Sequence, residues 1–379
     1  MSADQNIADI IIIGGGLAGL SASIHLRKFG YHVILVEKQA YPRHKVCGEY
    51  VSNEVLPYLN FLGINVFSEG AKRIDKFEMT TVQNKRISST LPLGGFGMSR
   101  YKLDALLAEK AKEMGVELLL ESVASVEFSE ELFTVSTKND HKLRSRIVIG
   151  AFGKRSNLDV RMKREFIQET SPYLAVKRHV KGAFPDDVVA LHHFEGGYCG
   201  VSKVENDAIN LCYITNYKSF KTYGYIERFE KEVLFKNHAL RHIFESTDSL
   251  FEEPLTISQI SFETKKAVEN HLLMCGDSAG MIHPLCGNGM GMAFRSAQIA
   301  SELIIAYLQE KITTRKQLEL RYQKQWNRAF RSRLNTGHTV AALFRSHSLA
   351  NRMMWILQKF PHLLPKIIKQ THGQPMKTP

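Results

Sequence analysis

Two glycine-rich stretches, far apart in the chain, restrict the folds open to this sequence more than any other feature. The first, Gly14 to Gly19, has the pattern Gly-x-Gly-x-x-Gly, and the second, Gly276 to Gly280, reads Gly-Asp-Ser-Ala-Gly. The first follows a β-branched run, Ile10 to Ile13, and leads into a segment with a helical pattern, Leu17 to Phe29. In this strand-turn-helix setting such glycines bind the pyrophosphate of a dinucleotide.

Each glycine of the first stretch has its own expected part. Gly14 allows the tight turn, Gly16 lets the backbone approach a pyrophosphate, and Gly19 lets the helix pack close to the strand. The pyrophosphate is then expected at the helix N-terminus, beside Leu17 and Ala18.

An acidic residue follows at the expected distance. The predicted strand His32 to Val36 ends at Glu37, which lies 18 residues after Gly19. A carboxylate in this position accepts hydrogen bonds from a ribose diol. The interpretation as a dinucleotide-binding unit is therefore stronger than the glycine pattern alone would allow.

The composition is that of an enzyme with more than one subdomain. The chain has 379 residues, of which 44% are apolar, and no apolar run approaches the ~18 residues that span a bilayer. Its five cysteines form no Cys-x-x-Cys pair and no zinc spacing, so we expect no disulfide framework and no metal site. We therefore expect a cytoplasmic location.

The positive charge is concentrated near the C-terminus. Residues 311–379 contain 14 Lys and Arg but a single acid, Glu319, so this segment carries +13 and the preceding 310 residues carry −1, which gives the net charge of +12. No nucleic-acid-binding motif accompanies the charge, and a nucleic acid partner is not expected.

Apolar residues recur within this basic segment at three- and four-residue steps, with basic residues between them. We expect Pro361 and Pro365 to break it into short helices. One interpretation is an interfacial element that contacts anionic lipid, and the other is a helical cap on the core with a solvated basic face. A carrier protein or an acidic substrate would also suit the charge. The apolar stripe consists of Leu349, Met353, Ile356, Phe360, Leu363 and Ile367.

The middle of the chain indicates a second domain. Ser99 is a plausible N-cap for a helix that follows it, and several alternating segments after that helix predict strands. Strands are also predicted at 73–82, 87–91 and over most of 173–215, without crossovers long enough for parallel pairing. We therefore expect an α/β fold, with a Rossmann-like domain, an inserted, mainly antiparallel β-sheet domain and a C-terminal helical segment.

The predicted domains are discontinuous. The dinucleotide-binding domain is expected to comprise residues 1–72, 97–170 and 265–310, and the substrate domain residues 73–96 and 171–264. Residues 311–379 form the basic C-terminal helical region.

Five motifs occur in an order that resembles one flavoprotein family. They are Gly14-x-Gly16-x-x-Gly19, Glu37, Lys45-Val46-Cys47-Gly48-Glu49, Arg100-x-x-Leu103-Asp104, and Gly276-Asp277 through Pro284 to Gly291. The family includes geranylgeranyl reductases, para-hydroxybenzoate hydroxylase-type monooxygenases and flavin-dependent halogenases. The resemblance extends over roughly residues 7–310 and implies that the dinucleotide is FAD.

The resemblance also implies roles for individual residues. Asp277 would bind the ribityl chain, the Val123 backbone would meet adenine, and the amides of Gly289 and Met290 would face the flavin pyrimidine edge. Negative charge develops there when flavin gains a hydride, and a helix N-terminus stabilises it. The predicted cofactor-binding residues are Gly14, Gly16, Leu17, Ala18, Gly19, Glu37, Lys38, Arg43, Lys45, Arg100, Val123, Gly153, Gly276, Asp277, Gly287, Gly289 and Met290.

Departures from the family patterns bear on the reaction. The segment from Lys45 to Glu49 resembles the reductase branch, whereas Phe152 replaces an acid that hydroxylases use. At 198–203 only Tyr198 remains of the Tyr-x-Trp-x-Phe-Pro stretch of isoprenoid reductases, and the Trp-x-Trp-x-Ile segment of halogenases is missing. The prediction is an FAD-dependent oxidoreductase that reduces or dehydrogenates a carbon–carbon bond of a hydrophobic, isoprenoid- or polyketide-like metabolite.

Two alternatives remain: a single-component aromatic hydroxylase and a non-catalytic lipid-binding or escort protein. A reductase also needs a proton donor near the flavin, and the candidates are Cys47, Glu49, His283 and Cys286. Because no second Gly-x-Gly-x-x-Gly follows a strand, NAD(P)H is expected only as a transient reductant, with a protein donor as the alternative. The sequence does not give the oligomeric state.

Overall fold

The computed structural model describes residues 7–169, 171–345 and 347–378. In these ranges the strands are β1 (Ala8–Ile13), β2 (Val33–Val36), β3 (Tyr50–Ser52), β4 (Lys72–Thr80), β5 (Arg86–Gly97), β6 (Glu117–Leu119), β7 (Val123–Ser129), β8 (Leu132–Thr137), β9 (Lys142–Gly150), β10 (Tyr173–Lys181), β11 (Val188–Phe194), β12 (Gly197–Lys203), β13 (Ile209–Asn216), β14 (Asp248–Ser249), β15 (Leu255–Ser258), β16 (Val268–Glu269) and β17 (Leu272–Met274). The helices are α1 (Leu17–Lys28), α2 (Leu56–Leu62), α3 (Arg100–Glu113), α4 (Asn157–Arg161), α5 (Tyr217–Lys221), α6 (Ile226–Glu232), α7 (His238–Glu245), α8 (Gly289–Leu308), α9 (Arg315–Arg345), α10 (His347–Lys359) and α11 (Leu363–Thr371).

The first sheet is the predicted Rossmann-like unit. Its strand order is β16-β17-β9-β1-β2-β6, and the strands from β17 to β6 are parallel. Because helices cover this sheet, β1 is buried along almost its whole length, as its run of isoleucines predicts. The carboxyl ends of β1, β2, β9 and β17 lie at one edge of the sheet, where the motif residues are found.

The second sheet confirms the predicted antiparallel domain. Its order is β14-β10-β13-β12-β11-β4-β5-β3, with β15 paired to β10. Among the described residues, every strand pair of this sheet is antiparallel except β4 with β11, which are parallel. Helices α5 to α7, which the sequence interpretation left out, follow β13 and contribute to a separate apolar core on this sheet.

The domain boundaries stay predictions. Strand β3 lies inside residues 1–72 yet pairs with β5 of the second sheet, with Tyr50 opposite Gly97. The next residues return to the first core, where Val51 and Val55 are fully buried. The segment around β3 therefore connects the two sheets directly.

The C-terminal region is helical, as expected, but one predicted break is wrong. Helix α10 ends before Pro361, whereas Pro365 lies inside α11 as its third residue. The first backbone N–H groups of a helix have no intrahelical acceptor, so a proline there removes no hydrogen bond. Among the described residues, no helix contains a stretch that is both long and apolar enough to cross a membrane.

Helix α9 packs on the first core, and α10 and α11 pack on the second sheet. Leu318, Tyr322, Trp326 and Phe330 of α9 are buried against the first core. In α10 and α11 the packed residues are Met354, Leu357, Leu364 and Ile368, which contact apolar residues of β4 and β5. The buried row is therefore displaced by one residue from the predicted apolar stripe. Two adjacent apolar rows have the same period, so the sequence did not show which row would pack.

The last described residues return to the N-terminus of α8. The Asn288 side chain donates a hydrogen bond to the Thr371 carbonyl at 2.9 Å, and the Met376 amide donates to the Glu54 carbonyl at 2.8 Å. The Gln298 amide also donates to the Lys377 carbonyl at 2.6 Å. Residues 371–377 therefore contact the helix that begins at Gly289.

Candidate functional site

The first glycine stretch forms a close turn between β1 and α1. Gly14 has a φ of +105°, and a Cβ atom there would overlap the backbone of Ala151, while one at Gly19 would overlap the carbonyl of Gly14. A Cβ at Gly16 would instead face open space, with Arg100 Nη2 as its nearest atom at 3.9 Å. The chain thus needs Gly14 and Gly19 for its own packing and leaves room beside Gly16.

The N-terminus of α1 is available to an anion. It begins at Leu17, has no side-chain cap and has no acidic residue in its first turn. The amides of Leu17 and Ala18 therefore point, with the positive end of the helix, toward the space beside Gly16.

The two glycine-rich stretches meet in space. Gly276 follows β17 with a φ of +60°, and a Cβ atom on it would lie 3.3 Å from the Ala18 side chain. Its amide donates to Ser296 Oγ of α8 at 2.9 Å. Gly276 therefore lies between α1 and α8, and its conformation favours glycine.

A cationic cluster lies beside the first glycine stretch. Arg100 Nε donates to Asp104 Oδ1 at 2.7 Å, and Lys45 Nζ donates to Asp104 Oδ2 at 2.6 Å. Asp104 is fully buried, so two cations share one carboxylate and the cluster carries one net positive charge. Burial, followed by the charge of Arg100, lowers the pKa of Lys45 to about 8.

We expect the affinity for FAD to fall as pH rises above about 8, the pKa of Lys45. Below that pKa Lys45 carries its proton before and after a pyrophosphate binds, whereas above it binding must first add a proton, which weakens affinity by up to about tenfold per pH unit. Fluorescence titration of the apoprotein with FAD across this range measures the effect.

The control for this pH dependence is a pair of lysine variants. Lys45→Gln should bind FAD more weakly at neutral pH and lose this part of the pH dependence. Burial also lowers the pKa of Lys265 to about 8, so Lys265→Gln shows whether that lysine contributes. Superimposable profiles for the wild type and Lys45→Gln would contradict the prediction.

Glu37 is brought to the glycine turn, and its carboxylate already has protein partners. Oε2 accepts from the Gly15 amide at 2.7 Å, and Oε1 accepts from Arg43 Nη2 at 2.8 Å. Tyr41, which the sequence interpretation missed, donates from its hydroxyl to the Gly15 carbonyl at 2.6 Å. Oε1 also accepts from the Gln39 amide at 3.1 Å, so the lone pair left for a ribose hydroxyl is on Oε2.

Asp277 lies among cations at the opposite end of the glycine turn. Burial raises the pKa of its carboxyl, and the charges of Lys265, Arg100 and Lys154 oppose this effect. Among the described residues no hydrogen bond to its carboxylate is found. The next residue, Ser278, accepts from the Gly153 amide at 2.9 Å, which ties the loop after β9 to this turn.

The N-terminus of α8 is the second helix end that faces the site. It has no side-chain cap and no acidic residue in its first turn. Gly287 has a φ of +63° and lies against the ring of Tyr50, while a Cβ atom on Gly289 would meet nothing closer than Ile282 at 4.0 Å. Met290 Sδ accepts from Cys47 Sγ at 3.7 Å, so the loop of residues 45–49 contacts this helix end.

Glu49 fixes that loop through a buried ion network. Its Oε1 accepts from Lys177 Nζ at 2.5 Å and from the Arg100 amide at 2.7 Å, and its Oε2 pairs with His179 Nε2 at 2.7 Å. Burial opposes ionisation of Glu49, but the bond from His179 and the charge of Lys177 outweigh it and lower the pKa of the carboxyl. The geometry gives Glu49 a positioning part, since an ionised carboxylate donates no proton.

The other proton-donor candidates have different surroundings. Burial raises the pKa of the Cys47 thiol, and it raises that of Cys286 to about 12. Cys286 lies against α9, where a Cβ atom on Gly337 would be 3.3 Å from its sulfur. His283 accepts at Nδ1 from the Leu285 amide and lies among aromatic rings. Both thiols therefore stay protonated near neutral pH.

Two predicted contacts lie further along the same edge of the first sheet. Val123 begins β7 just after β6, whose Leu119 carbonyl accepts from the Glu37 amide at 3.0 Å. Lys38 is exposed beside Glu37. All the predicted cofactor contacts remain predictions. The structure places most of the segments that contain these residues near the carboxyl edge of the first sheet.

Several residues of this site could not have been found from local motifs. Lys177 and His179 alternate along β10 and meet Glu49 only because the second sheet packs on the loop of residues 45–49. Lys154 and Lys265 approach Asp277 through irregular segments. For Lys177 and His179 the available signal was a charged or polar residue inside an otherwise apolar strand, whereas Lys154 and Lys265 gave no such signal.

The arrangement fits an extended dinucleotide. It offers two uncapped helix ends, a net positive cluster, an acidic side chain at the end of β2 and a half-buried carboxylate at the second glycine turn. In agreement, residues 7–328 match the sequence family described as the FAD binding domain. The chain belongs to this family.

The relatives of this FAD-binding protein include two reductases. It is 26% identical to conditioned medium factor receptor 1 of Dictyostelium discoideum, over 95% of this chain and 73% of that protein. It is 23% identical to menaquinone reductase of Mycobacterium tuberculosis, strain H37Rv (80% and 78%). It is 22% identical to digeranylgeranylglycerophospholipid reductase of Methanosarcina acetivorans (89% and 83%).

A solved structure confirms the fold of this FAD-binding protein. A flavin-dependent brominase superposes with a TM-score of 0.80 at 18% identity, covering 97% of this chain and 93% of the brominase. At that identity the likeness concerns the fold alone. The match over residues 7–328, and not this structure, places the chain in a family of FAD-dependent enzymes.

Proposed function

We propose that this protein reduces a carbon–carbon double bond of a hydrophobic, isoprenoid- or polyketide-like metabolite. The observation that carries the proposal is the position of the Cys47 thiol, 3.7 Å from Met290 at the N-terminus of α8. Glu49, Lys177 and His179 hold the loop that presents it. The reductases among the relatives support the same reaction class.

The reaction adds a hydride and a proton across the double bond. FAD, in its reduced form, would supply the hydride. The backbone amides at the N-terminus of α8 are placed to stabilise negative charge that develops at the flavin pyrimidine edge. We propose NAD(P)H as the transient reductant that restores the hydride in each cycle.

The proton is assigned to Cys47. Burial raises the pKa of its thiol, so the proton is present at neutral pH, and among the described residues the S–H group donates to the weak acceptor Met290 Sδ alone. Transfer of this proton to the substrate carbon would break the S–H bond and form a C–H bond. Solvent would then reprotonate the thiolate.

An apolar cluster favours a hydrophobic substrate. It joins the second sheet to the loop before α8 and includes Tyr198, whose buried hydroxyl has no hydrogen-bond partner among the described residues. A bound metabolite with one polar group would satisfy that hydroxyl. The buried residues of the cluster are Ala175, Tyr198, Ile214, Ile260 and Leu285.

The test is an anaerobic reduction and reoxidation of the purified protein, followed by flavin absorbance. NADPH should bleach the oxidised bands, and a hydrophobic alkene should restore them without air, with the saturated product formed in equal amount. Reoxidation that needs substrate and oxygen together would establish a hydroxylase instead. A colourless protein that binds lipid would establish the escort alternative.

We expect Cys47→Ser to retain FAD and to slow product formation by about 10²- to 10⁴-fold, the range for loss of a general acid. Single-turnover reoxidation by the alkene measures this step apart from reduction by NADPH. Cys286→Ser is the matched control, because its thiol lies against α9 and should affect this rate little. If turnover is unchanged in Cys47→Ser, the Cys47 thiol is not the proton donor and its role is structural.

A further inference from the structure

The C-terminal helices carry large apolar side chains that remain exposed. One row of α10 and α11 is buried on β4 and β5, and Met353, Leu363 and Ile367 beside it pack partly against the same cluster. Trp355 is 52% exposed, Phe360 49%, Leu349 40% and Ile356 39%. A helical cap on the core explains the buried and partly buried residues but not the exposure of these four large side chains.

These side chains lie close together on α10. With 3.6 residues per turn, Leu349 and Ile356 of α10, and Phe360 directly after it, fall on one flank of the helix, between the buried row and the side that faces solvent. Arg352 and Lys359 occupy the outermost line, next to that flank. The exposed face of α10 therefore alternates apolar and basic side chains.

The basic side chains of this face are not neutralised. Arg352, Lys359, Lys366 and Lys369 are exposed, and none pairs with a carboxylate among the residues that the structure describes. Lys359 Nζ lies 5.0 Å from the centroid of the Trp355 ring. The sequence contains no Asp or Glu after Glu319.

An open cleft of about 720 Å³ continues this surface between α9 and the two last helices. Arg328 and Arg331 line one wall, together with hydroxyl and amide side chains of α9. Met353 and Ile367, from the predicted apolar stripe, line the other wall. The cleft thus offers cations beside apolar side chains.

We propose that the exposed residues of segment 349–369, called here the docking surface, bind the surface of an anionic membrane. Lysine and arginine side chains attract anionic headgroups, while protruding aromatic and aliphatic side chains enter the boundary with the acyl chains. In a protein–protein interface, the residues that contribute most to binding usually lie in well-packed pockets. These apolar side chains instead project outward from the convex surface of a helix. The use of this surface, to obtain a membrane-dissolved substrate, rests on the proposed function, but the binding itself does not.

The first experiment is sedimentation of the FAD-loaded protein with lipid vesicles. The wild type should bind vesicles of phosphatidylcholine containing phosphatidylglycerol, bind pure phosphatidylcholine far more weakly, and be released by salt. The triple variant Lys359→Gln, Lys366→Gln, Lys369→Gln should lose about fivefold in partitioning per residue, or roughly a hundredfold in all.

A charge-matched triple variant distinguishes the docking surface from net charge. Lys218→Gln, Lys221→Gln, Lys231→Gln removes three exposed lysines from the second domain and leaves the same net charge. It should bind anionic vesicles like the wild type. Equal losses in the two triple variants would overturn the proposal.

A second pair of variants tests the apolar contribution. Ile356→Ser, Phe360→Ser should weaken binding at least tenfold, whereas Tyr225→Ser, Leu250→Ser, which removes side chains of similar exposure elsewhere, should not. Unchanged flavin content and thermal midpoint show that each variant is folded.

Tryptophan fluorescence reports insertion directly. The chain has two tryptophans, of which Trp326 is 5% exposed and Trp355 is 52% exposed. Brominated lipids in anionic vesicles should quench Trp355 and leave Trp326 as an internal reference. In Trp355→Phe the quenched fraction should disappear.

The outcomes separate this proposal from the proposed function. If the wild-type protein does not bind anionic vesicles, or binds them without quenching of Trp355, the proposed membrane contact is wrong. An acidic partner protein would then be the alternative ligand for this surface. The wild-type protein could still reduce an alkene in detergent. Conversely, if the protein binds vesicles but no alkene reoxidises its flavin, the docking surface is supported and only the proposed reduction of a double bond is contradicted.

Discussion

Replacement of Gly289 by valine is expected to give a folded protein that contains no FAD. Gly289 is the first residue of α8, and the nearest atom to a Cβ on it is Ile282 Cγ2 at 4.0 Å. The protein alone can therefore accommodate the valine. Its side chain would instead fill the space before the helix end, where the flavin pyrimidine edge is expected. The ratio of flavin to protein absorbance after purification measures the loss.

A neighbouring glycine provides the contrast for this experiment. A Cβ on Gly291 would overlap the side chains of Asn288 and Glu54, so Gly291→Val should lower the thermal midpoint of the apoprotein. Gly289→Val should leave that midpoint near that of the wild-type apoprotein. A yellow, fully loaded Gly289→Val protein would show that the flavin does not approach α8 at this residue.

Replacement of Glu49 by glutamine is expected to destabilise the apoprotein by about 3–5 kcal/mol, the usual result of leaving one partner of a buried ion pair alone. Glu49 and Lys177 are both fully buried, and the carboxylate also accepts the Arg100 amide and pairs with His179. Glu49 further has a φ of +55°, which the network of bonds offsets. Denaturant unfolding of the apoprotein measures the change without the stabilisation that bound FAD adds.

The double variant Glu49→Gln, Lys177→Met tests the cause. It removes both charges, so it should be less destabilised than Glu49→Gln alone, and the difference is the coupling between the two residues. A single variant whose unfolding midpoint matches that of the wild type would contradict a buried ion pair. If the loss of stability in the double variant equals the sum of the losses in the two single variants, Glu49 and Lys177 are not coupled, and the destabilisation comes from other contacts of Glu49.

Much of the cofactor-binding fold could be predicted because its signals are local. The isoleucine run before Gly14 forms β1, Ser99 caps α3 by accepting from the Lys102 amide, and alternating segments after that helix form strands such as β8. In each case the short-range pattern and the tertiary packing favour the same conformation.

What the sequence did not predict depends on long-range packing. Glu49 and Lys177 are separated by 128 residues, and only the approach of β10 to the loop of residues 45–49 pairs them. Glu49 was therefore interpreted as a proton donor, whereas its geometry indicates positioning. In α10 and α11 two adjacent apolar rows have the same period, and only the packing on β4 and β5 shows which of them is buried more deeply.

The return of residues 371–377 to α8 ties a distant part of the chain to the candidate cofactor site. Asn288, next to the N-terminus of α8, donates to the Thr371 carbonyl, the Met376 amide donates to the Glu54 carbonyl, and the Gln298 amide donates to the Lys377 carbonyl. Asn288 and Thr371 are 83 residues apart in the sequence. A change in segment 371–377 would therefore reach this helix end without altering any residue of the predicted cofactor contacts.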